Sequence, residues 1–213
     1  IGDLLYVGLR DGNVIALDIK NGQQKWSFAT DGPIYGSPAV DRGVVFVGSG
    51  DSKVYALDAV DGTKRWEFQA NRPISSSLAV NQEVVVVTSD DRFLYILDRK
   101  NGRVLMDFRI STSSHSPVLG ESQLLLSEGL RGLTAVDWNE GDIVFERFRL
   151  WLKMQLFAWG IAESPPIEKG WIWSFASARE NLVGSPALAF GNIYTATPST
   201  LIALDLSTGK ALW

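Results

Sequence analysis

The residues able to do chemistry recur at fixed spacing. Asp18, Asp58, Asp98, Asp137 and Asp205 each close a short apolar run, such as Val14-Ile15-Ala16-Leu17 or Val54-Tyr55-Ala56-Leu57. A glycine stands four residues after every one of them: Gly22, Gly62, Gly102, Gly141 and Gly209. Eight residues after the Asp comes a large apolar group: Trp26, Trp66, Met106, Phe145 and Trp213. Carboxylates can bind metals or work as acids and bases. An Asp at the head of a turn can instead accept the backbone N–H two residues on, with the glycine supplying a left-handed backbone. The fixed Asp–Gly spacing favours the turn. Asp51 after Gly50 and the pair Asp90-Asp91 could hold calcium, but they sit between short strands and read better as solvated hairpins. His115 is the single histidine. It could act as a base, but Ser113, Ser114 and Ser116 are too local to make a positioned triad with it. The sequence therefore assigns no catalytic residue and no metal ligand.

The elements that carry these residues form a repeat. Asp18 to Asp58 is 40 residues, Asp58 to Asp98 is 40, Asp98 to Asp137 is 39, and Asp137 to Asp205 is 68. A period near 40 built of strand-like units points to a β-propeller or another repeat array. The unit over 33–69 reads as four strands: Ile34 to Val40, Gly43 to Gly48, Lys53 to Asp58 and Lys64 to Phe68. Gly and Asp punctuate the joins as hairpins require, and such a meander is one propeller blade. Pro38, Pro117 and Pro186 recur in the first strand, and proline belongs on an edge. The small Gly36-Ser37 and Gly184-Ser185 suit a crowded central axis. Trp26, Trp66, Trp173 and Trp213 are the expected wedges between blades, with Met106 and Phe145 as weaker substitutes. The expected organisation is one propeller domain over 1–213. It has a partial blade at 1–28, blades at 29–68, 69–108 and 109–148, an irregular insert at 149–172, and a blade at 173–213.

The insert breaks the pattern. Arg149 to Gly160 is dense in large apolar groups and, taken from Phe148, fits a helix or a strand equally by periodicity. It is too short and too polar to span a bilayer. Trp151, Phe157 and Trp159 make it a candidate partner surface, since aromatic residues concentrate at binding hot spots. A plug over a blade edge is the competing reading. Membrane-proximal contact is a third, with Arg147, Arg149 and Lys153 beside the apolar groups. From Trp173 to Asp205 is 32 residues, the same as from Trp26 to Asp58, so the register is restored beyond the insert.

Composition narrows the function classes. Hydrophobic residues make up 46% and charged residues 21% of 213, as in an ordinary globular protein. A formal charge of -4 argues against nucleic acid as partner, because phosphate binding needs a basic surface. Without cysteine there is no disulfide framework and no thiolate metal site. The chain opens on Ile1 inside one repeat and stops at Trp213, the last residue of another, which reads as an excerpt of a larger ring.

The run Ala-Leu-Asp-x-x-x-Gly-x-x-x-Trp, at Ala16 to Trp26, Ala56 to Trp66 and Ala203 to Trp213, resembles the pyrroloquinoline-quinone (PQQ)-like propeller repeat, and the chain is similar to BamB-type repeat proteins. The resemblance implies an all-β propeller of four-stranded antiparallel blades. It also implies a binding or scaffold protein of the cell envelope, periplasmic or extracellular, that presents its loops and channel mouth to a protein partner or small ligand without a cofactor. Two alternatives come with the family. One is a PQQ-dependent dehydrogenase, in which PQQ and calcium oxidise an alcohol or sugar. The other is the sensor ectodomain of a membrane kinase or protease. The soluble quinoprotein alcohol dehydrogenases carry adjacent cysteines at their cofactor, and this chain has none.

Overall fold

The computed structural model describes residues 2–110, 116–120, 123–128, 132–137, 155, 171–177 and 181–213. Among the described residues, eighteen strands run in chain order through five antiparallel sheets. The first sheet holds β1 (Leu4–Gly8), β2 (Asn13–Asp18) and β3 (Gln24–Ala29). The second holds β4 (Ala39–Asp41), β5 (Val44–Gly48), β6 (Lys53–Asp58) and β7 (Lys64–Gln69). The third holds β8 (Ala79–Val80), β9 (Val84–Ser89), β10 (Phe93–Asp98) and β11 (Val104–Arg109). The fourth holds β12 (Val118–Leu119), β13 (Gln123–Glu128), β14 (Gly132–Asp137) and β15 (Trp171–Ala176). The fifth holds β16 (Val183–Ala189), β17 (Asn192–Ala196) and β18 (Leu201–Asp205), with an isolated bridge from Leu204 to Ala211.

In every sheet the strands pair in sequence order, which is the meander of a blade. The core is not one body but four layers, each shared by two successive sheets. Phe46, Ala56 and Trp66 of the second sheet, for example, pack with Val85, Val87 and Leu97 of the third. This sandwiching explains why β5 (VVFVG) and β9 (VVVVTS) are buried at every position. A strand covered on both faces has no polar side to show, so its sequence does not alternate.

One register device recurs in four sheets. Ala16 pairs with Trp26, Ala56 with Trp66, Ile96 with Met106, and Ala135 with Trp173, and the ladder slips immediately after each pair. The slip is a bulge, which sharpens the local twist. A small alanine opposite three of these large side chains leaves them room to lean across toward the next sheet.

Two expectations are corrected. The innermost strand does not run from Ile34 to Val40 but only over Ala39–Asp41. Pro38 has no N–H for a ladder, and the N–H of Ser37 is used elsewhere, on Ser77 of the next sheet. The second correction concerns the blade boundary. β15 pairs with β14 and not with β16, so Trp171–Ala176 completes the fourth blade. The interval 138–170 therefore separates two strands that are neighbours in one sheet, and the last blade begins at Val183 rather than at 173. Phe145 and Gly141, the expected end of the fourth repeat, lie outside the described residues, as do His115, Trp151, Phe157 and Trp159.

Trp173→Ala tests this assignment. By hydrogen exchange, the amides of Trp171–Ala176 and Gly132–Asp137 should lose protection together. The second sheet should be unaffected.

Candidate functional site

The recurring carboxylates are turn-formers in the structure. Oδ1 of Asp18 accepts the N–H of Lys20 at 2.9 Å, Asp58 that of Val60 at 2.8 Å, Asp98 that of Lys100 at 2.7 Å, and Asp205 that of Ser207 at 3.1 Å. The glycine four residues on returns its N–H to the Asp carbonyl, at 2.7 Å for Gly22, 2.9 Å for Gly62 and 2.8 Å for Gly102 and Gly209. Gly22, Gly62, Gly102 and Gly209 have φ between 67° and 75°, where a side chain is strained. Second partners hold several carboxyls below the usual range. They are Lys25 for Asp18, Arg65 for Asp58, and the hydroxyls of Ser207 and Thr208 for Asp205. Asp137 ends β14 at the equivalent place.

These turns are sockets for the tryptophans of the preceding sheet. Trp26 lies against Gly62 so closely that a Cβ there would come within 2.7 Å of the indole. At Gly102 the same atom would meet Trp66 at 2.5 Å, and Gly209 lies equally tight under Trp173. Each indole Nε1–H donates to the carbonyl of the residue after the next Asp: Trp26 to Ala59 at 3.0 Å, Trp66 to Arg99 at 2.9 Å and Trp173 to Leu206 at 3.0 Å. The three rings are nine-tenths buried. An indole buries about 200 Å², so each dock contributes up to about 5 kcal/mol. Met106 is buried at the corresponding place. Gly22, by contrast, has nothing within 4 Å of its would-be Cβ, and Trp213 is 64% exposed.

The second turn of each blade lies at the opposite end, together with the connectors between blades. Asp51 accepts the hydroxyl of Tyr55 at 2.6 Å through Oδ2 and the N–H of Lys53 at 2.9 Å through Oδ1. Asp91 does the same with Tyr95 at 2.6 Å and Phe93 at 2.8 Å. Asp90 takes the hydroxyl of Ser75 at 2.9 Å. Burial and these hydrogen bonds raise both phenols well above their ordinary value. At the same end Tyr35, half exposed, lies with its ring centroid 5.0 Å from the Arg10 guanidinium.

Along the inner edge of the blades runs a series of serine hydrogen bonds. Ser37 N–H donates to Ser77 Oγ at 3.0 Å, Ser77 N–H to Ser116 Oγ at 3.1 Å, and Ser116 N–H to Ser185 Oγ at 3.0 Å. Four successive blades are thus tied at their inner edges. The clue was there in the spacing: Ser37, Ser77, Ser116 and Ser185 occupy the same repeat position. Among the described residues, no three His, Cys, Asp or Glu side chains gather as a metal site. No helix among them is long and apolar enough to cross a membrane.

Four-stranded meanders, indole docks and a tied inner edge define a β-propeller of PQQ-like repeats. The sequence model of the family described as outer membrane protein assembly factor BamB matches residues 1–213, and the chain belongs to that family. Among solved structures it resembles BamB from Moraxella catarrhalis, with 18% identity and a TM-score of 0.74. It also resembles the computationally designed Ika8 protein, with 14% identity and a TM-score of 0.78. All of this chain aligns in both cases, over 58% of the length of each of those chains. No curated protein matches it. At such identities the likeness to the solved structures shows the fold alone.

Two predictions follow from these contacts. Gly22→Ala meets only the backbone penalty and should cost about 1 kcal/mol. Gly102→Ala has the same φ but displaces Trp66, and should cost about 3 kcal/mol or more in urea unfolding. The phenols give the second. The folded chain holds the protons of Tyr55 and Tyr95 more tightly than the unfolded chain, whose phenols titrate near 10. Their contribution is complete below pH ~10 and lost as pH rises beyond it. The urea midpoint should fall above pH ~10, and more shallowly in the Tyr55→Phe/Tyr95→Phe variant.

Proposed function

We propose that this chain is a non-catalytic binding and scaffold propeller. It acts in the cell envelope and offers its loops and channel mouth to a protein partner in outer-membrane protein assembly. The observation that carries this reading is where the carboxylates go. Asp18, Asp58, Asp98 and Asp205 head docking turns, and Asp51 and Asp91 brace hairpins with a tyrosine each. The groups that looked able to do chemistry are engaged in holding blades together. The family description names an assembly factor, which agrees with a scaffold.

The interval 138–170 belongs to the proposed partner surface through Trp151, Phe157 and Trp159. It leaves β14 at Asp137 and returns at Trp171, strands that stay paired. A partner-specific segment can be carried between paired strands without disturbing the ladder, which is how scaffolds vary their loops.

Titration with PQQ and calcium separates this reading from the dehydrogenase alternative. Absorbance and dye reduction with an alcohol or a sugar should stay flat to millimolar PQQ. Micromolar binding with calcium-dependent dye reduction would contradict the scaffold reading.

A further inference from the structure

Three joints between successive sheets can be compared at the end that carries the docking turns. Between the first and second sheets Tyr6 fills the joint, and its hydroxyl donates to the Ala59 carbonyl at 3.0 Å. Between the second and third, Arg99 fills it. The side chain is only 12% exposed, its Nη2 donates to the Asp41 carbonyl at 2.7 Å, and it pairs with the Asp41 carboxylate at 2.9 Å. Its guanidinium carbon lies 5.8 Å from the Phe46 ring centroid. Between the fourth and fifth sheets the occupants change. The strand register puts Gly120 at the Asp41 position, Gln123 at the Val44 position and Leu206 at the Arg99 position. A cavity of about 430 Å³ remains, lined by Gly120, Gln123, Leu188, Phe190 and Leu206 among others.

Two features of this slot cost stability. Oε1 of Gln123 is buried and accepts no hydrogen bond among the described residues. Buried acceptors are rarely left so, because they lose water without replacement. Phe190 is 97% exposed and sits at φ 52° in the two-residue hairpin between Ala189 and Asn192, followed by Gly191 at φ 73°. That turn favours Asn-Gly. Arg42-Gly43, the equivalent hairpin of the second sheet, has the same backbone at φ 44° and 76°, so what sets Phe190 apart is a large apolar ring held in water. The unpartnered acceptor and the exposed ring line one cleft.

We infer that the slot binds an arginine side chain presented by a partner polypeptide. The guanidinium donates to Gln123 Oε1, the aliphatic stem lies along Leu188 and Leu206, and the Phe190 ring covers the guanidinium face. The same group, against the same kind of ring, already fills the equivalent joint in cis at Arg99. Arginine suits the site better than lysine because its planar fork can reach an acceptor while stacking on a ring, and it is more weakly hydrated. The chain's formal charge of -4 favours a cation's approach. This inference rests on the protein-binding reading. Its test uses a small probe, so its failure leaves that reading to be judged by the quinone titration.

The probe is N-acetyl-arginine N-methylamide, titrated into the ¹⁵N-labelled 213-residue chain, with the lysine and citrulline analogues as controls. Saturable shifts should concentrate on Gly120, the Gln123 side-chain amide, Gly191 and Leu206, and the controls should bind about tenfold more weakly. Leu206→Arg, which supplies an arginine in cis, should abolish the response. Phe190→Asn should raise the melting temperature and weaken the probe several-fold. Absent binding, equal binding of the citrulline analogue, shifts away from the slot, or undiminished affinity in Phe190→Asn would each overturn the assignment.

Discussion

An indole laid flat on a glycine of the next sheet is the contact on which the rest of this structure depends. A single blade cannot bury both its faces, and the second strands of the second and third sheets are buried on both. They are stable only when the next sheet is held at the right distance and angle. The tryptophan sets that distance through its ring, which lies so close to the glycine that a Cβ there would come within 2.4–2.7 Å of it. It sets the angle through the Nε1 hydrogen bond, which needs the carbonyl one residue after the turn's Asp. The Asp, the glycine and the tryptophan therefore form one device. The alanine and bulge opposite the tryptophan belong to it too, because they free the ring to cross to its neighbour.

The indole docks gather at one end of the stack, and the serines tie its inner edge. The first-hairpin loops can then depart from good local chemistry. Phe190 with its exposed ring is such a departure, and so is Gln123 with its buried acceptor. The fold itself serves many purposes, so the proposed function rests on what the loops and joints present.

Much of this was legible in the sequence. The Asp–Gly–Trp spacing identified blades, turns and wedges because one physical device imposes one spacing. The fourth blade was misread because Phe145 stands eight residues after Asp137, where a wedge should stand. The interval from Trp173 to Asp205 matched the other wedge-to-turn intervals, and that is the signal that places β15 in the fourth sheet. The short first strand was overcalled because an extended apolar segment looks the same whether its N–H groups bond a ladder or a neighbouring blade. The Arg99–Asp41 pair joins residues 58 apart, and the Gln123 slot is shaped by what its neighbours lack. Neither has a local signature, since each depends on how two sheets meet.

The central claim is best tested by hydrogen exchange at the indole nitrogens, followed in ¹⁵N spectra under native conditions. If the indole dock holds the blades together, the Nε1–H groups of Trp26, Trp66 and Trp173 exchange only on global unfolding, while that of Trp213 exchanges at close to its free rate. Equal and rapid exchange at all four would show that the indoles are not what joins the sheets.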